Sequence, residues 1–201
     1  MTAQMHDIIL INEKVFSIVG VYGGELFKPQ SVGITPFSVI TSCWRGYVCQ
    51  YKVSNDKLLL DELQVFTRME SVPTQEQTFV TQKAPSIKGV SPTGNHPIFN
   101  NFYEGVELEI PFTGNILAGD GFIQSLYVHM GFHPAWKYQT VLELTIDHGT
   151  VLGIRDISAQ MEQLRGKMTE PSHVPDHPKS SIRKIAFRLK KKFRRNDRLK
   201  D

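Results

Sequence analysis

The segment TVLELTIDHGTVLGI, residues 140–154, determines the fold class of this chain. Leu142, Leu144 and Ile146 fall on one face of an extended chain, because successive side chains of a strand point to opposite faces. The link DHG, residues 147–149, ends in a glycine where a tight hairpin turn requires a positive φ. The residues that follow are again apolar. The segment therefore predicts an antiparallel hairpin with one buried face.

The same two-residue period recurs through the first three quarters of the sequence. It is cleanest at residues 106–110, where three apolar residues alternate with two glutamates. Short polar links separate the apolar runs, and they are too short for the helical crossovers that join parallel strands. The sequence thus predicts a mainly β fold, an antiparallel barrel or sandwich of about eight or nine strands. Further strands are predicted at residues 8–11, 15–21, 47–53 and 58–66.

Two glycine-containing segments between these strands are interpreted as turns. They are residues 113–115 and 119–121, and glycine is common in turns because it tolerates a positive φ. The alternation that follows predicts another strand. Its apolar face would carry Phe122, Leu126, Val128 and Met130.

Departures from the strand pattern suggest a domain organisation. Residues 1–168 form the predicted β-rich globular domain, in which 67–101, polar and rich in proline, are a long loop or insertion. Residues 169–179 are a Pro-rich linker, and residues 180–201 are a basic amphipathic tail. One helix is predicted to pack on the domain just before the linker. Its apolar residues, at helical spacing, are Ile157, Met161, Leu164 and Met168.

Charge is distributed unevenly along the chain. Residues 179–201, the tail with the lysine before it, hold 11 of the 23 Lys and Arg and 2 of the 20 Asp and Glu, so this segment is +9 and the remainder −6. Such a tail fits an anionic membrane surface, docking on the acidic body or on another protein, or nucleic acid, which has less need of an apolar stripe. The basic residues are Arg183, Lys184, Arg188, Lys190, Lys191, Lys192, Arg194 and Arg195, and the apolar stripe is Ile182, Ile185, Leu189 and Phe193.

The composition excludes several classes of protein. No apolar run approaches the roughly 18 residues of a membrane-spanning helix, and we identify no signal peptide at the N-terminus. The only two cysteines, Cys43 and Cys49, fit buried thiols in a reducing compartment better than a disulfide framework. We therefore expect a cytoplasmic protein, with peripheral association at the inner face of a membrane as the further possibility raised by the tail.

Catalytic signatures are scarce in this sequence. It contains no nucleotide-binding glycine motif, no nucleophile elbow and no zinc-protease motif. His129 and His133 are the best candidates for metal or catalytic chemistry, and a third group would have to come from elsewhere. Candidates for that third group are Glu104, Glu107 and His96. No cofactor and no resident metal are expected.

Aromatic and cationic residues cluster at two predicted strand entrances. Tryptophan and tyrosine offer large contact areas with a polar group, and arginine stacks on their rings. We expect these residues to form one patch for an unknown protein or small ligand. They are Trp44, Arg45, Tyr47, Trp136, Lys137 and Tyr138.

Two functional hypotheses follow from these observations. The first is a non-catalytic binding or interaction protein that uses the aromatic–cation patch and is localised by the tail. The alternative is a small hydrolase or metal-dependent enzyme centred on His129 and His133.

Overall fold

A computed structural model of the chain describes residues 2–71, 79–81, 84–94 and 97–169. It confirms the predicted fold class, since the chain is mainly β with a sandwich-like or barrel-like sheet and one helix near the C-terminus. The elements of this part of the chain are β1 (Ile8–Ile11), β2 (Lys14–Gly23), β3 (Tyr47–Ser54), β4 (Lys57–Val65), β5 (Met69–Ser71), β6 (Phe79–Thr81), β7 (Asn101–Tyr103), β8 (Leu108–Glu109), β9 (Gly114–Phe122), β10 (Tyr138–Asp147), β11 (Thr150–Asp156) and α1 (Ser158–Thr169).

Nine of these strands belong to one sheet, in the order β11-β10-β9-β2-β1-β3-β4-β7 with β8 beside β4. Their neighbours pair antiparallel, as predicted, with one exception in the part described. Residues 8–10 of β1 run parallel to residues 50–52 of β3. The chain between those two strands is long enough to include β2 and the loop after it, so a parallel pair forms without a crossover helix. Strands β5 and β6 pair antiparallel in a separate two-stranded sheet.

The sheet curls so far that the turn between β3 and β4 is hydrogen-bonded to the turn between β10 and β11. The Leu58 amide donates a hydrogen bond to the carbonyl of Gly149 over 2.9 Å, and the Val151 amide donates to that of Asp56 over 2.7 Å. These bonds join the start of β4 to the start of β11 and close a ring of seven strands at one end. Farther along β4, the edge is taken by β8 instead. The closure is therefore partial, and the fold resembles a barrel without completing one.

Strands β9 and β10 are covered on both faces. Ile116 and Leu144 point into the main core inside the curled sheet. Leu117 and Val141 point to the opposite face, where Met161 from the first turn of α1 covers them. The alternation predicted for residues 142–146 is thus observed, and the second face is also apolar because it carries its own smaller core.

The two predicted turns at residues 113–115 and 119–121 are wrong. Strand β9 begins at Gly114, inside the first of them, and runs without a break through the second to Phe122. Gly119 serves packing, because a Cβ at this position would lie 2.8 Å from Cγ of Tyr138. The glycine lets the tyrosine ring lie directly on the strand.

The strand predicted over residues 122–130 is also wrong. The chain instead forms a 3-10 turn at Gln124–Leu126 and then an irregular loop. Hydrogen bonding explains the difference, since β9 pairs with β2 only as far as Gly119 and with β10 only as far as Phe122. Alternating side chains alone do not make a strand when no partner strand is beside them.

Part of the predicted insertion, residues 67–101, is buried in the fold. Ala84, Ile87 and Phe99 of the predicted insertion are buried, so this segment contributes to the core. The Pro-rich linker and the tail, from residue 170 onward, lie outside the described residues. No helix in the described part of the chain is long and apolar enough to cross a membrane.

Candidate functional site

Two loops that are far apart in sequence are joined by the N-terminal segment. One loop precedes β3, and the other, residues 123–134, connects β9 to β10. The buried residue Gln4 binds both of them. Its backbone amide donates to the Gly131 carbonyl over 2.8 Å, and its side-chain oxygen accepts from the Trp44 amide over 3.0 Å. The same side chain donates to the Thr41 carbonyl over 2.8 Å.

Asp7 and Arg45 form a two-bond ion pair at the centre of this junction. Both hydrogen bonds measure 2.8 Å, and one oxygen of Asp7 also accepts the Cys49 amide over 2.8 Å. The guanidinium lies 4.8 Å from the ring centre of Tyr47 and 5.6 Å from that of Phe132. Although burial opposes it, the hydrogen bond and the charge of Asp7 raise the pKa of Arg45. Arg45 is thus a permanent cation that connects the two loops.

His6 uses both ring nitrogens to connect β2 to the loop at His133. Its Nδ1 lies 2.9 Å from the Ile18 carbonyl, which accepts only, so this nitrogen carries the proton. Its Nε2 then accepts the backbone amide of His133 over 3.3 Å. The ring also packs edge-on against Phe132 and Tyr138. Burial lowers the pKa of His6, while the bond to Ile18 and the charge of Asp7 oppose that shift.

His133, at the end of the loop formed by residues 123–134, lies next to the buried Lys137. Lys137 is only 4% exposed, and its Nζ lies 3.5 Å from Nδ1 of His133. Burial lowers the pKa of both groups, and for His133 the charges of Lys137 and His6 lower it further. Lys137 has no ion pair with a carboxylate in the part of the chain that the structure describes. The Trp136 ring lies 5.3 Å from its Nζ.

The loop before β3 and the loop of residues 123–134 both expose large apolar side chains. Trp44 is 54% exposed, Met130 56% and Phe132 50%. We call this the two-loop surface. It comprises Trp44, Tyr127, Val128, Met130 and Phe132, all of them exposed.

The structure separates the residues predicted for the aromatic–cation patch into two layers. Trp44 is exposed, and Arg45 and Tyr47 are half-buried beside the two-loop surface. Lys137 and Tyr138 are buried, and the half-buried Trp136 packs against the smaller core. Phe132 and His6 lie between the layers and bring the two predicted groups together.

The residues of the predicted metal site have other partners. The exposed His129 accepts or donates a hydrogen bond with the Tyr127 hydroxyl over 3.0 Å, and the Tyr127 ring packs against both His129 and His133. Glu104 lies at the exposed end of β7, where its charge contributes to raising the pKa of Glu62. Glu107 pairs with Lys52, and His96 lies outside the described residues. Over the described ranges, no three His, Cys, Asp or Glu side chains are grouped so as to hold a metal ion.

The residues that join the two loops were not predicted from the sequence. Gln4, His6 and Asp7 precede the first strand, and each acts on residues at least 35 positions away, such as Trp44 for Gln4 and His133 for His6. Their polar side chains directly before the apolar run of β1 were the available signal. Nothing in that signal identifies the distant partners.

Comparison of the chain with known proteins found no matching family model, no matching curated protein and no matching solved structure.

Proposed function

We propose that this chain is a non-catalytic binding protein that holds a protein partner on its two-loop surface. The observation that supports this most is the exposure of Trp44, Met130 and Phe132, each about half accessible. These side chains come from loops that are hydrogen-bonded to one another through Gln4. Large apolar side chains that stay exposed on neighbouring loops, although the domain has its own core, mark a contact site.

The chemistry of the surface favours a protein over a small ligand. Tryptophan, tyrosine, phenylalanine, methionine and arginine are the residue types enriched at protein interfaces and at their energetic centres. Arg45 lies under the surface against Phe132, held by Asp7. A small-molecule site would instead enclose most of its ligand. Because the loops are already held together, binding should cost little ordering free energy.

A matched pair of double variants tests this proposal. The partner retained by the immobilised full chain would be purified and titrated against each variant. We expect Trp44→Ser with Met130→Ser to raise the Kd by about 30-fold or more, because truncating interface anchors typically costs about 2 kcal/mol or more. The control is Leu152→Ser with Ile154→Ser on β11, which removes equally exposed apolar residues and should change the Kd by less than about threefold.

Three results decide the test of the surface. Both variants must first keep the unfolding midpoint of the parent chain, which excludes loss of fold as the cause. Equal loss of binding in both variants would show general stickiness, and no loss in either would remove the two-loop surface from the proposal. Selective loss with the Trp44 and Met130 changes supports it.

The tail, in this proposal, places the binding domain at an anionic membrane surface. Its basic residues would attract the surface, at about 1 kcal/mol each before losses, and its apolar stripe would enter the interface. The corresponding location is the cytoplasm, at the inner face of a membrane. Basic residues alone would bind nucleic acid as well as an anionic membrane. The apolar stripe favours the membrane, because nucleic acid has less need of apolar side chains.

Vesicle binding measures the contribution of the tail. We expect the full chain to bind vesicles containing anionic lipid and a chain ending at residue 178 not to bind them. Leu189→Ser with Phe193→Ser should weaken vesicle binding by about tenfold or more, because two large apolar side chains leave the interface. The same double change should leave DNA binding as it was. Unchanged vesicle binding, or complete displacement by DNA, would replace the membrane with an acidic partner or nucleic acid.

A further inference from the structure

The hydrogen bonds of His6 require one protonation state. Nδ1 donates to Ile18 on β2, and Nε2 accepts from the amide of His133 in the second loop. Only the neutral ring with its proton on Nδ1 makes both bonds, because a protonated ring has no acceptor nitrogen. Adding a proton places an N–H on Nε2 directly against the N–H of His133. The bond to the loop is then replaced by a repulsive contact.

We propose that His6 is a pH-sensitive latch, which holds residues 127–133 to the body of the protein when neutral and releases them when it is protonated. The loop carries four of the five residues of the two-loop surface. The inference therefore concerns regulation of the same surface and rests on the proposed function for its biological consequence. Release of the loop itself does not depend on any partner.

Burial is the main reason that a proton on His6 is disfavoured, and the charges around the ring act in both directions. Arg45, a permanent cation, faces it from the loop before β3, and Lys137 faces it through His133. Asp7 is the nearby anion, but its two carboxylate oxygens are engaged by Arg45. Tyr138 and Phe132 contribute only ring edges. Burial therefore outweighs the charge of Asp7, and a proton on the buried His6 ring favours release of the loop.

The direction of the pH effect follows from linkage. Burial lowers the pKa of His6 below its ordinary value of 6.5 in the closed protein, whereas an open loop exposes the ring and restores that value. Between the two pKa values the open form binds more protons, so opening becomes more favourable as the pH falls. The closed loop is fully favoured above pH 6.5. The pKa of His133 is lowered as well, so its protonation acts in the same direction.

Hydrogen exchange at the His133 amide tests the latch in the full chain. This amide is the donor to His6, and its protection is expressed relative to core amides of β10 to cancel the intrinsic pH dependence of exchange. We expect relative protection to fall by about fivefold or more between pH 7.5 and pH 5.0, since each pKa unit is tenfold in the opening constant. His6→Gln supplies a donor and an acceptor without titrating, so only the smaller fall in protection that His133 contributes should remain.

Two control variants isolate His6. His148→Gln removes an exposed histidine from the β10–β11 turn and should behave as the parent chain does. His133→Gln keeps the reporter amide and should retain the fall in protection. Three results would overturn the latch: a fall of less than twofold in the parent chain, a fall in His6→Gln as large as in the parent chain, or loss of the fall in His133→Gln.

If glutamine at position 6 cannot reproduce the hydrogen bonds to both Ile18 and His133, titration of the His6 imidazole in the parent chain provides the test. Protection in His6→Gln would then be low at both pH values. The imidazole of His6 in the parent chain is followed by NMR, and the midpoint of loop release must coincide with its titration. Different midpoints overturn the latch. Failure of partner binding to follow the loop would count against the proposed function alone, since the exchange measurements need no partner.

Discussion

Asp7→Ala is expected to lower the free energy of unfolding by about 3 kcal/mol. Removing one member of a buried ion pair typically costs about 3–5 kcal/mol, and the lower end applies here because Arg45 is partly accessible. The side chains of Arg45 and Asp7 are 31% and 11% exposed. The change leaves the guanidinium without its carboxylate and the Cys49 amide without its acceptor. Both groups would have to be rehydrated inside the junction.

Denaturant unfolding with linear extrapolation measures this loss. Asp7→Asn should lose less, about 1–2 kcal/mol, because an amide oxygen can still accept the Cys49 amide. The matched control is Glu25→Ala, which removes a surface ion pair with Lys28 whose side chains are 76% and 53% exposed and should cost less than about 1 kcal/mol. A loss for Asp7→Ala as small as that of the control would show that the junction does not depend on the ion pair.

Gly114→Ala is expected to cost about 4 kcal/mol or more, enough to threaten folding. Gly114 begins β9 with φ at +151°, opposite Gly23, which has φ at +116°. A Cβ on Gly114 would overlap the backbone oxygen of Tyr22, and it would lie 3.0 Å from the Phe112 ring. Backbone cannot yield as a flexible side chain can, so the strands would have to separate where β2 pairs with β9.

A second strand glycine supplies the control for this prediction. Gly153 lies in β11, and a Cβ there would have no other atom within 4 Å. Gly153→Ala should therefore change the free energy of unfolding by less than about 1 kcal/mol, with a small gain from reduced freedom of the unfolded chain. The unfolding midpoints of the two variants are compared directly. Similar midpoints would contradict a special role for the Gly23 and Gly114 pair.

These two predictions concern the parts of the fold that position the candidate site. Asp7 holds Arg45 against Phe132, so its loss should also loosen the two-loop surface. Gly114 permits β2 and β9 to approach, and β2 carries the Ile18 carbonyl that fixes the proton on His6. The geometry of the surface thus depends on residues that do not belong to it.

The pattern of apolar and polar residues predicted the secondary structure correctly where a short turn joins a strand to the strand that it pairs with. The strands of three observed hairpins, β1 with β2, β3 with β4 and β10 with β11, were predicted from their apolar patterns and the short polar links between them. The mainly β class followed from those hairpins. Even the error at residues 122–130 came from a true alternation, which lacked a neighbouring strand to pair with.

Tertiary structure alone decided where β9 lies and what the site contains. Gly119 belongs to a strand because Tyr138, distant in sequence, packs on it, and no local rule distinguishes such a glycine from one in a turn. The same holds for His6, whose hydrogen bond to His133 spans 127 positions. Periodicity reports how a residue relates to its near neighbours. The curl of the sheet decides which distant segments meet, and it brought the N-terminal segment, the loop before β3 and the loop after β9 to one junction.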